Sequence, residues 1–338
     1  MTSPLPRLSL AMDPERTQHV LTPQALERLS HSVEILDMAR IYDFHDPSVQ
    51  DRLEHTDILL TGWGCPEVGA RELARMPRLK LISHAAGTVK YFLSQAVFER
   101  GITVCSAAEA NAQPVAEFTL AMILLAGKRA FGFRRLYKND RGRSNVERLQ
   151  SEPIGNLGLT VGIVGASRIG RRVIALLRPF DLDLVLFDPF LNPAEAERLG
   201  VRLVSLDALM AISDVISLHA PSLPQTRHMI GAQEIARMKD GATLINTARG
   251  ALVDENALLS ELKTGRIEAV IDVTDPEVPP PDSLFYSLPN VFLTPHIAGA
   301  TGLERARLGD MAIAEIERFC LGRALEQEVR PEHLELIA

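Results

Sequence analysis

Short runs rich in Val, Ile and Leu alternate with helix-patterned stretches along almost the whole chain, and this alternation confines it to parallel α/β architecture. In the amino-terminal third, strands are predicted at Leu8–Ala11, Val33–Leu36, Asp57–Thr61, Leu79–Ser83 and Thr103–Cys105. Helical stretches Thr22–Ser30, Glu67–Arg75 and Leu93–Arg100 separate them. Thr22-Pro23 starts the first of these as a capping hydroxyl followed by a proline at the first helical position. A long helical pattern from about Gln113 to Tyr137 then runs into a polar, Arg-rich loop ending near Gly158. A second alternating series follows, with strands near Thr160–Val164, Asp183–Phe187, Val215–Leu218, Thr243–Ile245, Ala269–Ile271 and Val291–Leu293. Pro276–Pro281 reads as a loop and Thr301–Leu321 as a closing helix. At 338 residues the chain exceeds one modest core, so two domains are expected. Two similar α/β halves joined by long helices predict two lobes with a ligand cleft between them.

Charge and composition exclude several classes. Hydrophobic residues at 46% and charged residues at 23% suit a globular enzyme rather than a disordered chain. A net charge of −7 argues against general nucleic-acid binding. One segment departs from that average: Lys128, Arg129, Arg134, Arg135, Lys138, Arg141, Arg143 and Arg148 face only Asp140 and Glu147. It reads either as a solvated helix end and loop or as a local field for an anionic substrate. Cys65, Cys105 and Cys320 are far apart and form no C-x-x-C pair, which predicts neither disulfide framework nor metal site and fits a reducing compartment. Met1–Met12 lacks a basic start followed by an apolar run, so no signal peptide is expected. The longest apolar stretch, Phe118–Ala126, is about half of the roughly 20 residues that a membrane span needs. A cytoplasmic protein without membrane or nucleic-acid partners is the expectation.

The strongest local signal is Val161-Gly162-Ile163-Val164-Gly165-Ala166-Ser167-Arg168-Ile169-Gly170, an apolar strand entering a small-residue turn and then a helix. In a dinucleotide site the first glycine makes the tight turn and the middle one admits the pyrophosphate. The last packs helix against strand, while the helix N-terminus offers free N–H groups. Ser167 stands at the middle position, small and able to donate to a phosphate itself. Alone, such a motif also fits a plain strand–turn–helix. Its context strengthens it: the next strand ends in Asp188, eighteen residues beyond Gly170, where an acid accepts from ribose hydroxyls and repels a 2′-phosphate. Asp188 also suits a turn before Pro189. Together with the glycines it predicts a dinucleotide site that prefers NAD.

At this point the sequence resembles the D-isomer-specific 2-hydroxyacid dehydrogenase family over nearly its whole length. The matching segments are Val115-Ala116-Glu117, the glycine turn, Val215-Ile216-Ser217-Leu218-His219-Ala220-Pro221 and Leu244-Ile245-Asn246-Thr247-Ala248-Arg249-Gly250. Further on come Ile271-Asp272-Val273-Thr274-Asp275-Pro276-Glu277 and Leu293-Thr294-Pro295-His296-Ile297-Ala298-Gly299. Their order and spacing carry the likeness. The resemblance implies two Rossmann-like domains of doubly wound parallel sheet, the NAD-binding domain (108–299) inserted into a discontinuous substrate domain (1–107 and 300–338). It implies Arg249, Glu277 and His296 as catalytic residues. Gly165, Ser167, Arg168, Ile169, Gly170, Asp188, His219, Pro221, Thr247, Ala248, Asp272 and Gly299 are implied at the cofactor, and the turn Ala86-Gly87-Thr88 at the substrate carboxylate. It further implies a homodimer, built in part on Phe118–Ala126 and the basic arm. Departures are Ser167 for the usual glycine, Lys90 where aspartate is common, Val278 where proline is usual, and no tryptophan ahead of the dinucleotide domain.

These residue types suit reduction of a 2-oxo acid, whose carbonyl oxygen gains negative charge. Arg249 offers a rigid fork for carboxylate and carbonyl. His296 can protonate that oxygen, and Glu277 orients the ring and stabilises the imidazolium. Each also has an ordinary reading: Arg249 as a surface arginine at a helix entry, Glu277 as a solvated acid, His296 as a hydrogen-bonded core histidine. His84, beside the substrate turn, is either structural or a substrate contact, and Trp63 either packs or walls the pocket. Two alternatives remain at this level: a formate- or phosphite-type dehydrogenase, and an NAD-sensing corepressor-like scaffold. Formate enzymes carry glutamine where Glu277 stands, and turnover of oxo acids separates the enzyme from the scaffold.

Overall fold

Every stretch read as a strand is a strand in the structure, a computed structural model that describes residues 4–332. It adds one short strand that the pattern did not reveal, Arg202–Leu203. The chain divides into two units, one running to Asn111 and resuming at Ala300, the other Ala112–Gly299. The passage between them lies inside the helix Ala108–Gly127 rather than ahead of it at residue 107.

In the first unit, β1 (Arg7–Ala11), β2 (Glu34–Ile35), β3 (Ile58–Thr61), β4 (Leu81–His84) and β5 (Thr103–Ser106) pair in the order β2-β1-β3-β4-β5, all parallel. This is the flavodoxin-like doubly wound order. Alternate residues enter opposite layers: Leu8, Leu10, Ile58 and Leu60 join one core with Ile313 and Ile316, while Leu59, Ile82 and Val104 join another with Leu53 and Val97. A parallel sheet covered on both faces needs such unbroken apolar strands. The helix Pro23–Ser30 is capped as its sequence predicts, Thr22 accepting from the N–H of Ala25 at 3.1 Å.

In the second unit, β6 (Leu159–Val164), β7 (Leu182–Phe187), β8 (Arg202–Leu203), β9 (Val215–Leu218), β10 (Thr243–Asn246), β11 (Glu268–Ile271) and β12 (Val291–Leu293) pair in parallel in the order β12-β11-β10-β9-β6-β7-β8. Counted within the unit and read from β8, that is the Rossmann order with one strand added. The strand order reverses between β6 and β9, where the carboxyl ends of the strands open a ligand crevice. Both faces are again buried, Val164, Ile216, Leu218 and Leu244 on one side and Val161, Ile163, Val215 and Ile245 on the other.

The long helix read over 113–137 is in fact two, Ala108–Gly127 and Ala130–Asp140, separated at Arg129, whose backbone is left-handed with φ 51°. Part of the polar segment that follows is also helical, Ser144–Gln150. Its basic residues are exposed apart from Arg129 and Arg135. Arg135 bonds Glu268 at 2.9 Å and the Pro289 carbonyl at 2.5 Å, so it fastens the arm to the sheet. All three cysteines are free thiols. Among the described residues no helix is long and apolar enough to cross a membrane.

Candidate functional site

The second unit's candidate residues all follow the carboxyl ends of its parallel strands, so the topology gathers them at one end of the sheet. Gly165 leaves β6 with φ +100°, and a Cβ there would lie 2.7 Å from the backbone nitrogen of Ala220. Glycine is required on both counts. A Cβ on Gly170 would lie 2.1 Å from the Gly165 carbonyl, so helix and turn touch through hydrogen alone. Ser167 is different. Its backbone is extended (φ −63°, ψ 176°), and its Oγ caps the helix Arg168–Leu177 by accepting from the Gly170 N–H at 3.3 Å. The position needs a cap rather than a glycine. Val173, Ile174 and Leu177 bury the helix's inner face, while Arg168 and Ile169 open it at the turn.

Asp188, just past β7, accepts from the Ala166 N–H at 2.7 Å and the Phe190 N–H at 2.9 Å. It therefore braces the glycine turn from the neighbouring strand. Beyond β9, His219 is buried, its Nε2 at 2.9 Å from the Ser217 hydroxyl. Burial pushes its pKa down to about 3, so the ring is neutral. Its Nδ1 has no partner among the described residues. The ring's Cβ also lies against Gly170. A glycine-only turn, a capped helix N-terminus, an acid at the next strand and an unpartnered buried nitrogen beside the turn fit a dinucleotide. Pro221, next along, is held where its carbonyl accepts from Thr226 at 2.6 Å.

After β10, Asn246 stitches its own turn: it accepts from the Ala248 N–H at 3.1 Å and donates to the Arg249 carbonyl at 2.8 Å. Thr247 is buried with its hydroxyl 2.9 Å from that of Thr119. Arg249 is half-buried and donates to the Ala248 carbonyl at 2.6 Å. The following Gly250 lies so close to the 274–275 backbone that a Cβ would come within 2.1 Å of Thr274. That contact seats Arg249 beside the segment carrying Glu277.

Asp272, after β11, is 2% exposed and holds the turn that follows β12. One carboxylate oxygen accepts from the Thr294 hydroxyl (2.6 Å) and the Ile297 N–H (2.8 Å); the other accepts from the Ala298 N–H (2.9 Å). Its carbonyl takes the His296 N–H at 2.8 Å. Together these hold a turn in which His296 is left-handed, φ +56°, a conformation rarely adopted without such support. The His296 ring projects to solvent with its Nδ1 2.5 Å from Glu277 Oε1, and both side chains are exposed. Thr274 steadies the acid's loop by donating to the Glu277 carbonyl at 3.1 Å. Gly299 closes the unit and is half-buried.

In the first unit the turn Ala86-Gly87-Thr88 follows β4. Ala86 is buried and its carbonyl accepts from the Ala107 N–H at 3.0 Å. Among the described residues the N–H groups of Gly87 and Thr88 donate to no protein atom. Asn111 backs this turn, with Nδ2 3.7 Å from where a Gly87 Cβ would sit and Oδ1 accepting from the Ala300 N–H at 3.0 Å. His84 is packed in the core: its Nδ1 meets Thr61 Oγ1 at 2.9 Å and its ring lies 4.7 Å from that of Phe92. Burial pushes its pKa down to about 3, and at 3% exposure it offers no surface to a substrate. Asn246, Thr119, Ser217 and Asn111 support the site without being legible as functional in the sequence. The first and third stand inside quoted motifs, whereas Thr119 and Asn111 carried no signal beyond adjoining the Val115-Ala116-Glu117 segment.

Residues 120–298 match the family model for the NAD binding domain of D-isomer specific 2-hydroxyacid dehydrogenases. The chain is 33% identical over 272 residues to a D-3-phosphoglycerate dehydrogenase of Archaeoglobus fulgidus, covering 80% of this chain and 50% of that protein. It is 31% identical over 309 residues to a hydroxypyruvate reductase of Thermotoga maritima, covering 90% of this chain and 94% of that one. A solved structure from Thermus thermophilus superposes with a TM-score of 0.74 at 30% identity, covering 96% of this chain and all of that one. The chain spans about half the length of the phosphoglycerate dehydrogenases it matches.

Proposed function

From the premise that this chain belongs to the D-isomer specific 2-hydroxyacid dehydrogenase family of NAD-dependent oxidoreductases, we propose that it interconverts a 2-oxo acid and the matching D-2-hydroxy acid. The observation that carries this reading is the His296–Glu277 pair, Nδ1 to Oε1 at 2.5 Å, on the strand-end rim that also bears Arg249. NAD, when bound, supplies the hydride chemistry. With Nδ1 engaged by Glu277, His296 has Nε2 left for the substrate oxygen. That nitrogen delivers a proton during reduction and removes one during oxidation. Glu277 fixes the ring orientation through that contact. Being a carboxylate rather than an amide, it favours oxo-acid over formate chemistry. Arg249 presents planar donors to the carboxylate and carbonyl.

We assign substrate binding to the first unit, where the free N–H groups of Gly87 and Thr88 suit a carboxylate, and cofactor binding to the second. The cofactor set is Gly165, Ser167, Arg168, Ile169, Gly170, Asp188, His219, Pro221, Thr247, Ala248, Asp272 and Gly299. A homodimer using Phe118–Ala126 and the basic arm, and a cytoplasmic setting suited to free thiols, belong to the same proposal. The test is NADH oxidation with a panel of 2-oxo acids. Turnover of at least one acid is expected, falling about 10²–10⁴-fold in kcat for His296→Ala with NADH binding retained. No turnover of any acid, or near-normal turnover in the variant, refutes the reading.

A further inference from the structure

Under the reading above, on which this inference rests, the first unit meets the carboxylate of a 2-oxo acid with the Gly87–Thr88 N–H groups. The first unit also carries Arg305. Arg305 is half-buried, and among the described residues its guanidinium makes no hydrogen bond or ion pair. Its Nε is fully buried without a partner, and the group is held only over the Trp63 ring, 5.4 Å from the centroid. A buried Nε with nothing to donate to is costly, and a fork of donors backed by an aromatic face suits an anion.

Its place in the fold ties it to the substrate turn. Thr61 and His84 are register partners on β3 and β4, and Trp63 and Ala86 each stand two residues past them, so the two loops leave the sheet side by side. Contacts close the circuit on the other side. Gly87 lies against Asn111, Asn111 holds the Ala300 N–H, and the chain from Ala300 leads directly to Arg305. Trp63, Ala107, Ala110, Ala300 and Leu308 share one apolar cluster beneath. The Trp63 loop is itself pinned: its carbonyl accepts from the Asp13 N–H at 2.9 Å, and Gly64, at φ +78°, has no room for a Cβ beside Asp13.

We propose that Arg305, seated on Trp63, is a specificity residue that binds a second anionic group, a carboxylate or phosphate, at the far end of the substrate from its 2-oxo acid. Trp63 is the chain's single tryptophan, so its emission reports occupancy there without turnover. The experiment uses matched pairs that differ in tail charge, 2-oxoglutarate with 2-oxovalerate and phosphohydroxypyruvate with hydroxypyruvate. Each is titrated against Trp63 emission in the cofactor-free chain and then assayed for NADH oxidation. In at least one pair the anionic member is expected to half-saturate the emission change at about 10-fold lower concentration and to have the higher kcat/KM. Arg305→Gln should erase that preference of about 10-fold, and Arg305→Lys, which keeps charge without the fork, should retain part of it. Equal saturation within both pairs overturns the proposal. So does an equal loss on both members in Arg305→Gln, which would assign the guanidinium to the common carboxylate. Surviving discrimination in emission with no acid turned over would refute the dehydrogenase reading and leave the Arg305 assignment standing.

Discussion

Asp272 offers the sharpest test of how the site is held. Its carboxylate accepts three hydrogen bonds, two on Oδ1 and one on Oδ2, from the turn that carries His296. Asp272→Asn keeps the shape but turns one oxygen into an amide NH2. The amide oxygen should take the doubly bonded side, leaving the NH2 facing the Ala298 N–H, donor against donor. One bond to a charged acceptor is then lost, at a cost of about 1.5–3 kcal/mol. Asp272→Ala removes all three and strands the buried Ala298 N–H, so about 3–6 kcal/mol is expected. The left-handed His296 should relax toward ordinary backbone in both variants, because the carboxylate fixes Ile297 and Ala298, the two residues that follow it in the turn. Hydrogen exchange at the Ile297 and Ala298 amides reads this locally, and urea unfolding reads it globally. Both amides should exchange faster in the order wild type, Asn, Ala. Stability within about 0.5 kcal/mol of wild type in Asp272→Ala, with both amides still protected, would refute the reasoning.

Gly165→Ala should cost about 2–5 kcal/mol through strain at φ +100° and contact with Ala220, read as a lower melting point together with weakened NADH binding. Replacing Asp188 by Asn should narrow the preference for NADH over NADPH, chiefly through KM for NADPH, and an unchanged ratio would count against its place at the ribose. His84 and His219 are both pushed from 6.5 to about 3 by burial. The unfolded chain therefore binds more protons between those values, so stability is full above about pH 6.5 and falls as pH drops toward 3, by at most about 1.4 kcal/mol per pH unit for each ring. His84→Asn should flatten that acid limb in thermal melts recorded from pH 7 to 4.

Legibility followed from the parallel sheet. Each strand of the second unit delivers its next residues to the same end, so Gly165, Asp188, His219, Arg249, Glu277 and His296 appear in chain order as the tails of β6, β7, β9, β10, β11 and β12. A motif after an apolar run is then both a strand boundary and a site coordinate. The two-residue strand β8 lay below this resolution because Arg202–Leu203 has too few residues to show a period. The helix break at Arg129 was hidden for another reason. A left-handed arginine is set by what surrounds it, here the glycine at 241 that leaves space for its guanidinium, and no local propensity signals it.

The supporting residues were opaque for a related reason: their roles exist only as contacts between distant segments. Thr119 has meaning because a hydroxyl 128 residues away meets it, and Arg305 because Trp63 folds beneath it. Ser167 shows the converse. Measured against a glycine pattern it looks like a defect, yet the backbone there is extended and the hydroxyl caps the helix whose N-terminus faces the site. Gly165 and Gly170 are the positions where a Cβ would collide with backbone, so they alone in this turn are dictated by space. The requirement at Ser167 is a small side chain with an oxygen, and serine meets it while keeping a hydroxyl proton to offer a phosphate.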